Sequence, residues 1–416
     1  MTILLLTHFL TPIQQGWYYS FLSLAALYTL FDLGLSIVLV QFSAHLFINI
    51  KWLSKGRIAG ENEKLFLSLI GQSFRLYLLL SLVFCFLMIP MGLYFFGKKE
   101  GSAELLMSEW QWPWIALVIA TAINILALPF LALVEGSGRV IEAYGVRLLQ
   151  GVLGSIACWV VLSSGGGLLA PAMIPAMGFI VALTWLICRQ PALLDYAWRI
   201  RNTEIKWLSE IWPLQWRIGL SWLSGYLLTQ IYTPILFYYQ GAELAGQMGL
   251  SLTIANMLGL LAQSWIARRV PLMAQAAGRK DWKLLDAVFA QDFIVSMLAF
   301  IVGALLLCGL HIIFLEKTLY VNRVLSLWPF VGLMGIVFIN NIIGALAAQL
   351  RSFRKEPLVW VSFIGALVSV PTVFWAGTYY SAEGLVIAIL AIQLLFILPV
   401  SIYLWRKCNT QWRLEP

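Results

Sequence analysis

The amino-acid sequence predicts an all-α integral membrane protein with two parallel-repeat lobes of about six transmembrane helices each. Three observations predict this fold class: an apolar composition, apolar segments of membrane-spanning length, and an internal duplication. Of the 416 residues, 61% are hydrophobic and only 11% are charged, and the mean hydropathy is +0.87. So few polar side chains cannot cover a water-soluble globule of this size. The composition therefore places most of the chain in a membrane.

The apolar segments are long enough to cross a bilayer as helices. About 20 residues, at a rise of 1.5 Å per residue, span a hydrocarbon core of roughly 30 Å. Strands of a membrane barrel would instead give alternating segments of about ten residues. The predicted spans cover residues 17–43, 66–97, 112–134, 143–163, 166–188, 212–239, 245–267, 287–314, 324–350, 357–378 and 383–405. An incomplete span at residues 2–10 precedes them, which makes 12 predicted spans.

The two halves of the chain repeat each other. Three matches occur in the same order along the chain, at shifts of 230, 219 and 216 residues. They join residues 16–44 to 246–274, residues 64–74 to 283–293, and residues 112–124 to 328–340. Short apolar words recur by chance, but three in order at nearly one offset indicate an internal duplication.

Basic residues concentrate in alternate loops, as the positive-inside rule expects of cytoplasmic loops. The alternation holds at every predicted crossing, so both termini are predicted to be cytoplasmic. Topology then accounts for most of the net charge of +8, and attraction to anionic lipid headgroups is the alternative account. Each repeat has an even number of spans, so both lobes enter the membrane in the same direction. The predicted domains are an N-terminal lobe at 1–190, a basic cytoplasmic linker at 191–211 and a C-terminal lobe at 212–416.

The duplication also predicts that the first helix is shortened. At the shift of 230, residues 2–10 match only residues 232–240, and the counterpart of residues 213–231 is missing. A nine-residue helix is too short to cross hydrocarbon. We expect either a true start further upstream or a shortened form of the protein.

Several functional classes lack their motifs in this sequence. There is no Walker motif for ATP hydrolysis. The five cysteines are scattered singly and the three histidines form no cluster, so neither a metal site nor a disulfide framework is predicted. The predicted outer loops are too short for a catalytic domain. We therefore expect a transporter without cofactor, metal or nucleic-acid partner, and not an enzyme.

Asp32 is the most costly polar residue in a predicted span. An aspartate at the centre of a membrane helix carries an apparent insertion penalty of about 2.5–3.5 kcal/mol, so something must compensate it. Asp32 either lines a pathway and accepts a proton, or pairs with a neighbouring helix for structure. The sequence leaves both interpretations open.

Three arginines lie inside predicted spans. Arg217 is a turn inside the span that opens the second repeat, and Arg75 and Arg147 lie several residues inside theirs. A guanidinium group suits bidentate contact with a phosphate, so each is a candidate for the substrate pathway. Each can equally extend its charged end to the membrane interface.

Amide side chains complete the candidate set. Asn124 and Asn340 are equivalent under the duplication and serve either as symmetric substrate contacts or as bridges between helices, with bridging the favoured role. Further amides lie on the first two spans of the repeats, which would meet at a central interface. These candidates for the substrate pathway are Gln41, Gln230, Asn256 and Gln263.

Three stretches resemble a known family. Residues 24–38, with Phe31-Asp32-Leu33-Gly34-Leu35, resemble the second-helix signature of polysaccharide exporters in the MOP flippase superfamily, which include the Wzx-like O-antigen flippases. Residues 133–149 resemble their fourth-to-fifth helix loop, and residues 251–279 resemble the exit of their eighth helix. The resemblance covers most of the chain, and the shortened first helix departs from it.

The resemblance implies a V-shaped pair of six-helix lobes around a central cavity. It also implies transport of undecaprenyl-pyrophosphate-linked oligosaccharide across the bacterial inner membrane by alternating access. The partners it implies are the lipid-linked oligosaccharide, membrane lipids, a coupling ion (H⁺ or Na⁺) and polysaccharide-assembly proteins. An anionic headgroup would need a cationic wall, for which the three arginines are candidates.

Two alternatives remain open at this point. One is a cation-coupled antiporter of the multidrug type, which Asp32 suits and the arginines disfavour. The other is a membrane-embedded glycosyltransferase or ligase, which would need paired acid and base groups on a sizeable outer loop. The sequence contains no such loop.

Overall fold

The computed structural model of the chain describes residues 1–98, 105–199, 207, 211–315, 322–353, 355 and 357–414. These residues are almost entirely helical, and they form two compact units, Met1–Tyr226 and Leu227–Pro416. The helical class predicted from the sequence is confirmed.

The first unit contains ten helices and a short antiparallel hairpin among its described residues. The helices are α1 (Thr2–Phe9), α2 (Pro12–Ala25), α3 (Tyr28–Asp32), α4 (Leu35–Leu46), α5 (Glu63–Gly97), α6 (Met107–Ile125), α7 (Leu128–Gly136), α8 (Val140–Ser163), α9 (Ala170–Arg189) and α10 (Pro191–Arg199). The hairpin pairs β1 (Ile50–Trp52) with β2 (Ile58–Gly60). Helix α11 (Trp212–Thr229) belongs mostly to this unit and runs to the boundary with the next.

The second unit continues with eight helices in the described part of the chain. They are α12 (Tyr232–Gln240), α13 (Ala242–Ala267), α14 (Val270–Gly278), α15 (Trp282–Leu315), α16 (Leu327–Arg351), α17 (Val359–Tyr379), α18 (Ser381–Ile392) and α19 (Leu398–Leu414). One π-helical turn, Gln393–Ile397, joins α18 to α19.

Ten helical segments among the described residues are long and apolar enough to cross a membrane, which agrees with a multi-pass membrane protein. They are Pro12–Leu46, Glu63–Gly97, Met107–Gly136, Val140–Ser163, Gly167–Arg189, Ala242–Gly278, Trp282–Ile313, Leu327–Arg351, Val359–Tyr379 and Ser381–Arg413. A helix of this length pairs most of its backbone N–H and C=O groups internally, as the bilayer requires.

Breaks divide several predicted spans into shorter helices, among them the spans at 212–239 and 17–43. Residues Pro12–Leu46 still form one segment that is long and apolar enough to cross a membrane. The span predicted at 212–239 is divided between α11 and α12. Pro234 explains this break, since it has no N–H to pair with the carbonyl of Gln230 and its ring crowds that carbonyl. The span predicted at 17–43 is divided into α2, α3 and α4, and its second break lies at Leu33 and Gly34, both of which have positive φ.

Equivalent helices make equivalent contacts within each unit. Helix α1 packs on α8, and at the corresponding place α12 packs on α17. The Trp159 indole N–H donates to Thr2 Oγ1 at 2.8 Å in the first pair, and Gln240 Nε2 donates to the Gly377 carbonyl at 3.0 Å in the second. These paired contacts agree with the predicted duplication.

Candidate functional site: a carboxylate at a helix break

The break between α3 and α4 places two consecutive residues in the left-handed region of the backbone. Leu33 has φ 44° and ψ 35°, and Gly34 has φ 69°. A leucine in the left-handed region costs about 1–2 kcal/mol, so the surrounding packing must hold it there.

Helix α11 supplies that packing, and the contact has one glycine on each side, Gly34 at the break and Gly219 on α11. A Cβ on Gly34 would lie 2.2 Å from Ile218 Cγ2, and a Cβ on Gly219 would lie 3.0 Å from Leu33 Cβ. The Tyr226 hydroxyl also donates to the Ser23 carbonyl at 3.0 Å. The close approach of α11 therefore requires a glycine on each side of the contact.

Asp32 ends α3 and lies in a cluster of hydroxyl groups. The Tyr77 hydroxyl donates to Asp32 Oδ1 at 2.5 Å, and Ser36 Oγ donates to the same oxygen at 2.8 Å. The two hydroxyl oxygens are 3.1 Å apart. The backbone N–H groups of Gly34 and Ser36 also interact with the carboxylate. Asp32 is half-buried and Tyr77 is fully buried.

This arrangement compensates the carboxylate that the sequence marked as costly. The break places Asp32 before the first turn of α4, where the helix presents unpaired N–H groups and a positive dipole end. Two hydroxyl donors satisfy lone pairs of Oδ1. A carboxylate held in this way can stabilise the bent helix, and it is also positioned to take up a proton or a cation.

A cavity of about 320 Å³ lies beside this cluster within the first unit. Its wall is mostly apolar, and its polar atoms come from Tyr28, Thr121, Asn124 and Gln150. Tyr28 connects the cavity to the cluster, because it lies four residues before Asp32 on α3 and interacts with its carboxylate.

Asn124 is the predicted site residue that lines this cavity. Its Oδ1 has no hydrogen-bond partner among the described residues, and a Cβ on Gly178 of α9 would lie 2.8 Å from it. Gln150 Nε2 donates to the Gly178 carbonyl at 2.6 Å. An acceptor is therefore available at the cavity wall.

The predicted arginines have different surroundings. Arg147 forms an ion pair with Glu135 at 2.6 Å and lies 5.1 Å from the Tyr144 ring. Arg75 is half-buried on α5 and interacts with neighbouring groups. Arg217 lies on α11, but its side chain is outside the described part of the structure.

The remaining predicted amides are dispersed rather than gathered. Gln41 is exposed on α4 and Asn256 is exposed on α13, while Gln230 is half-buried at the break between α11 and α12. In the second unit, Gln263 Nε2 donates to the Asn341 carbonyl at 3.4 Å, and Gln393 Nε2 donates to Asn340 Oδ1 at 3.2 Å.

Sequence reasoning did not identify the partners of Asp32 and Arg147. Ser36 was predictable as a partner, since it lies four residues after Asp32, which is the spacing of neighbours on one face of the predicted helix. Tyr77 lies on another span, and a tyrosine in an apolar segment carries no signal of its partner. Glu135 lies in the stretch 133–149 that resembles the family's fourth-to-fifth helix loop, and it precedes Arg147 across a short loop.

Comparisons with known proteins show the fold. No protein-family model matches the chain, and no curated protein matches it by sequence. Among solved structures, the lipid II flippase MurJ in an inward closed conformation superposes with a TM-score of 0.67 at 12% identity, over 99% of this chain and 87% of that one.

Two other solved structures match over nearly the whole chain. An inward-facing multidrug resistance MATE family transporter of the MOP superfamily has a TM-score of 0.62 at 14% identity, over 96% of this chain and 94% of that one. A MOP superfamily transporter from Pyrococcus furiosus has a TM-score of 0.61 at 12% identity, over 100% and 92%. All three are transporters or flippases rather than enzymes, and the chain has the fold of MOP superfamily transporters.

Proposed function

We propose that this protein moves a lipid-linked oligosaccharide, carried on undecaprenyl pyrophosphate, across the bacterial inner membrane. The observation that carries the proposal is the fold shared with a lipid II flippase over 99% of the chain. The resemblance of residues 24–38 and 133–149 to polysaccharide exporters favours a glycan as the transported substrate. The lobes alternate their access to the two sides of the membrane, with both termini cytoplasmic.

The helix break gives this cycle a candidate moving part. Changes between conformations are usually absorbed by a few residues at the ends of helices. Leu33 and Gly34 already have φ values outside the helical range, and Asp32 links them to α5 through Tyr77. Loss or gain of a coupling ion, H⁺ or Na⁺, at Asp32 would change the strength of that link.

One of the three arginines that are candidates for contact with the anionic headgroup already has an acidic partner. Glu135 neutralises Arg147, which makes Arg147 a weaker candidate for contact with pyrophosphate. Polysaccharide-assembly proteins and membrane lipids are the partners that this function implies.

A cation-coupled multidrug-type antiporter is the second candidate. The observation that favours it is the mostly apolar cavity in the first unit, beside a carboxylate. Its volume of about 320 Å³ suits a drug-sized molecule, and an oligosaccharide headgroup is larger.

Reconstitution of the purified chain into vesicles separates the two candidates. One arm follows the movement of a fluorescent undecaprenyl-pyrophosphate oligosaccharide to the opposite leaflet, where a membrane-impermeant lectin binds it. The other arm follows uptake of a fluorescent organic cation under a proton or sodium gradient. We expect movement in the glycolipid arm. Activity in the cation arm alone would establish the antiporter, and inactivity in both would refute both proposals.

A variant at Arg217 tests the headgroup contact in the glycolipid arm. Arg217→Ala should reduce movement at least tenfold, whereas Arg279→Ala, at an exposed position after α14, should leave it unchanged. Equal rates for both variants would remove Arg217 from the substrate pathway.

A further inference from the structure

A groove opens within the second unit between α15, α16 and α19. Its volume is about 590 Å³. Its apolar wall is formed by Phe289, Phe293, Ile342, Leu346, Ile402 and Trp405. At one end it meets a second depression of about 540 Å³, and the two share Trp405, Asn409 and Arg413. The groove is therefore apolar along its length and polar at its mouth.

Gln349 gives the groove an unused hydrogen-bond donor. Its side chain lines the groove and is only 1% exposed. The Trp405 indole N–H donates to Gln349 Oε1 at 2.7 Å. An indole can only donate, so this bond fixes the orientation of the amide. Gln349 Nε2 then has no partner among the described residues. A buried amide donor without an acceptor is unfavourable, which points to a ligand that brings an oxygen atom.

In the first unit, helix α10 packs on α5 near the position that corresponds to this groove. Phe293 corresponds to Phe74 at the shift of 219, and the Trp198 ring of α10 lies 6.4 Å from the Phe74 ring. Helix α10 can turn across α5 because Pro191 begins a new helix after the end of α9.

The second unit has no such break, since α19 runs unbroken from Leu398 to Leu414. Arg413 reaches Asp286 of α15 only at the mouth, at 2.8 and 2.5 Å. The groove beneath this ion pair stays open, whereas α10 packs on α5 in the first unit.

The charge at the mouth favours an anionic headgroup. The ion pair between Asp286 and Arg413 is neutral as a whole. Arg406 is exposed beside Trp405 and has no acidic partner among the residues that the structure describes. Basic pockets between membrane helices at the cytoplasmic side bind the phosphates of anionic lipids.

We propose that this groove is a binding site for one anionic glycerophospholipid. An acyl chain lies along Phe293 and Leu346, an ester carbonyl accepts from Gln349 Nε2, and the phosphate lies at Arg406. Gln349 is bonded to Trp405, and Arg406 is the next residue in the chain. A ligand that contacts both Gln349 and Arg406 therefore carries two acceptor groups a few bonds apart. A glycerophospholipid does so, whereas a polyprenyl chain has no acceptor below its phosphate. The inference does not depend on the transported substrate.

Photolabelling in a defined bilayer tests the site. The full chain is placed in phosphatidylcholine vesicles that contain a minor fraction of phosphatidylglycerol with a diazirine on its acyl chain, and the labelled peptides are mapped by mass spectrometry. We expect label on residues 286–294 and 402–413 at several times the level on Leu305 and Leu306, which are exposed on the same helix α15. Equal labelling of these regions would mean ordinary contact with bulk lipid and would overturn the proposal.

Variants separate the parts of the site. Gln349→Leu and Leu346→Trp should each lower groove labelling severalfold, whereas Gln275→Leu, at an exposed position on α14, should not. Arg406→Gln should lower labelling by the phosphatidylglycerol probe more than by a phosphatidylcholine probe, because the choline group of the latter already neutralises its phosphate. Arg279→Gln is the control. Thermal unfolding in detergent checks that each variant folds. Unchanged labelling in the folded Leu346→Trp variant would overturn the proposal.

Competition decides between a resident phospholipid and the tail of a transported lipid. Addition of an undecaprenyl-pyrophosphate oligosaccharide should leave the groove label unchanged. Displacement of the label would assign the groove to the polyprenyl tail and overturn the proposal. These measurements follow binding and not transport, so they stand whether or not the proposed function fails.

Discussion

The second spans of the two repeats differ at one contact. At the shift of 230, Asp32 corresponds to Ala262, and at the shift of 219, Tyr77 corresponds to Ser296. In the second unit, Ser296 Oγ donates to the backbone carbonyl of Ala262 at 2.7 Å, and α13 runs unbroken through this position. In the first unit, the Tyr77 hydroxyl donates to the carboxylate of Asp32, and the helix ends there. The same pair of positions is thus joined by a hydroxyl group in both units.

This difference marks a position at which the two repeats differ in their chemistry. A hydroxyl bound to a backbone carbonyl holds two continuous helices together and carries no charge. A carboxylate at the same place accepts the hydroxyl, faces the first turn of the next helix and can exchange a proton or cation. The second unit thus has an uncharged contact at these positions, and the first unit has a carboxylate there.

The largest loss of stability is expected when Gly34, the glycine that the break requires, is replaced. Gly34→Ala should destabilise the protein by about 2–5 kcal/mol, because alanine is unfavourable at positive φ and its Cβ would meet Ile218. Thermal unfolding of the purified protein in detergent measures the change.

Ser264 provides the matched control, since it corresponds to Gly34 at the shift of 230 and lies within the continuous helix α13. Ser264→Ala should change stability by no more than about 0.5 kcal/mol. A Gly34→Ala variant as stable as the Ser264→Ala variant would contradict the contact between α11 and the break.

The next effect is expected at the carboxylate itself. Asp32→Ala leaves the buried Tyr77 hydroxyl with Ser36 as its only neighbour in the cluster, and it should cost about 1–3 kcal/mol. Adding Tyr77→Phe should recover part of this loss, because it removes the buried hydroxyl that has lost its carboxylate acceptor. A double-mutant cycle on thermal stability gives the coupling.

Asp32→Asn separates structure from ion coupling. Asparagine keeps an acceptor oxygen for Tyr77 and Ser36 but has no charge. If Asp32 takes up the coupling ion, this variant should fold normally and transport without dependence on the gradient. Retained gradient dependence would restrict Asp32 to a structural role.

Much of the fold was predictable because it depends on local and periodic properties. Apolar length predicted the helical membrane spans, and the colinear matches predicted the two repeats. Asp32 was predictable as a special residue because a carboxylate in hydrocarbon needs compensation.

The break at Leu33 and Gly34 was not predictable in the same way. A single glycine in an apolar helix pattern is tolerated, and here the break depends on α11, which lies almost two hundred residues further along the chain. Tyr77 and the cavity around Asn124 depend likewise on the register between helices, which one sequence does not specify.

A smaller effect is expected at the ion pair that only the first unit has. The counterparts of Glu135 and Arg147 at the shift of 216 are Arg351 and Phe363, which cannot form it. Arg147 is about one-third exposed, so the pair should contribute only about 0.5–1 kcal/mol.

Transport tests whether Arg147 has a further role. If it serves only the pair, Glu135→Gln and Arg147→Gln together should transport as the unaltered protein does. If it contacts the headgroup, the double variant should lose activity while the Glu135→Gln variant alone keeps it. Initial rates of glycolipid movement distinguish the two results.

The smallest effect is expected at the asparagines that the repeats share. Asn340 accepts from Gln393, so Asn340→Leu should cost about 0.6 kcal/mol, the average for a hydrogen bond between membrane helices. Asn124 Oδ1 has no such bond among the described residues, so Asn124→Leu should be neutral in stability or slightly stabilising. Because Asn124 lines the cavity, its replacement should instead weaken whatever binds there. Equal losses of stability at both positions, with binding unchanged, would mean that the two asparagines still serve one structural role.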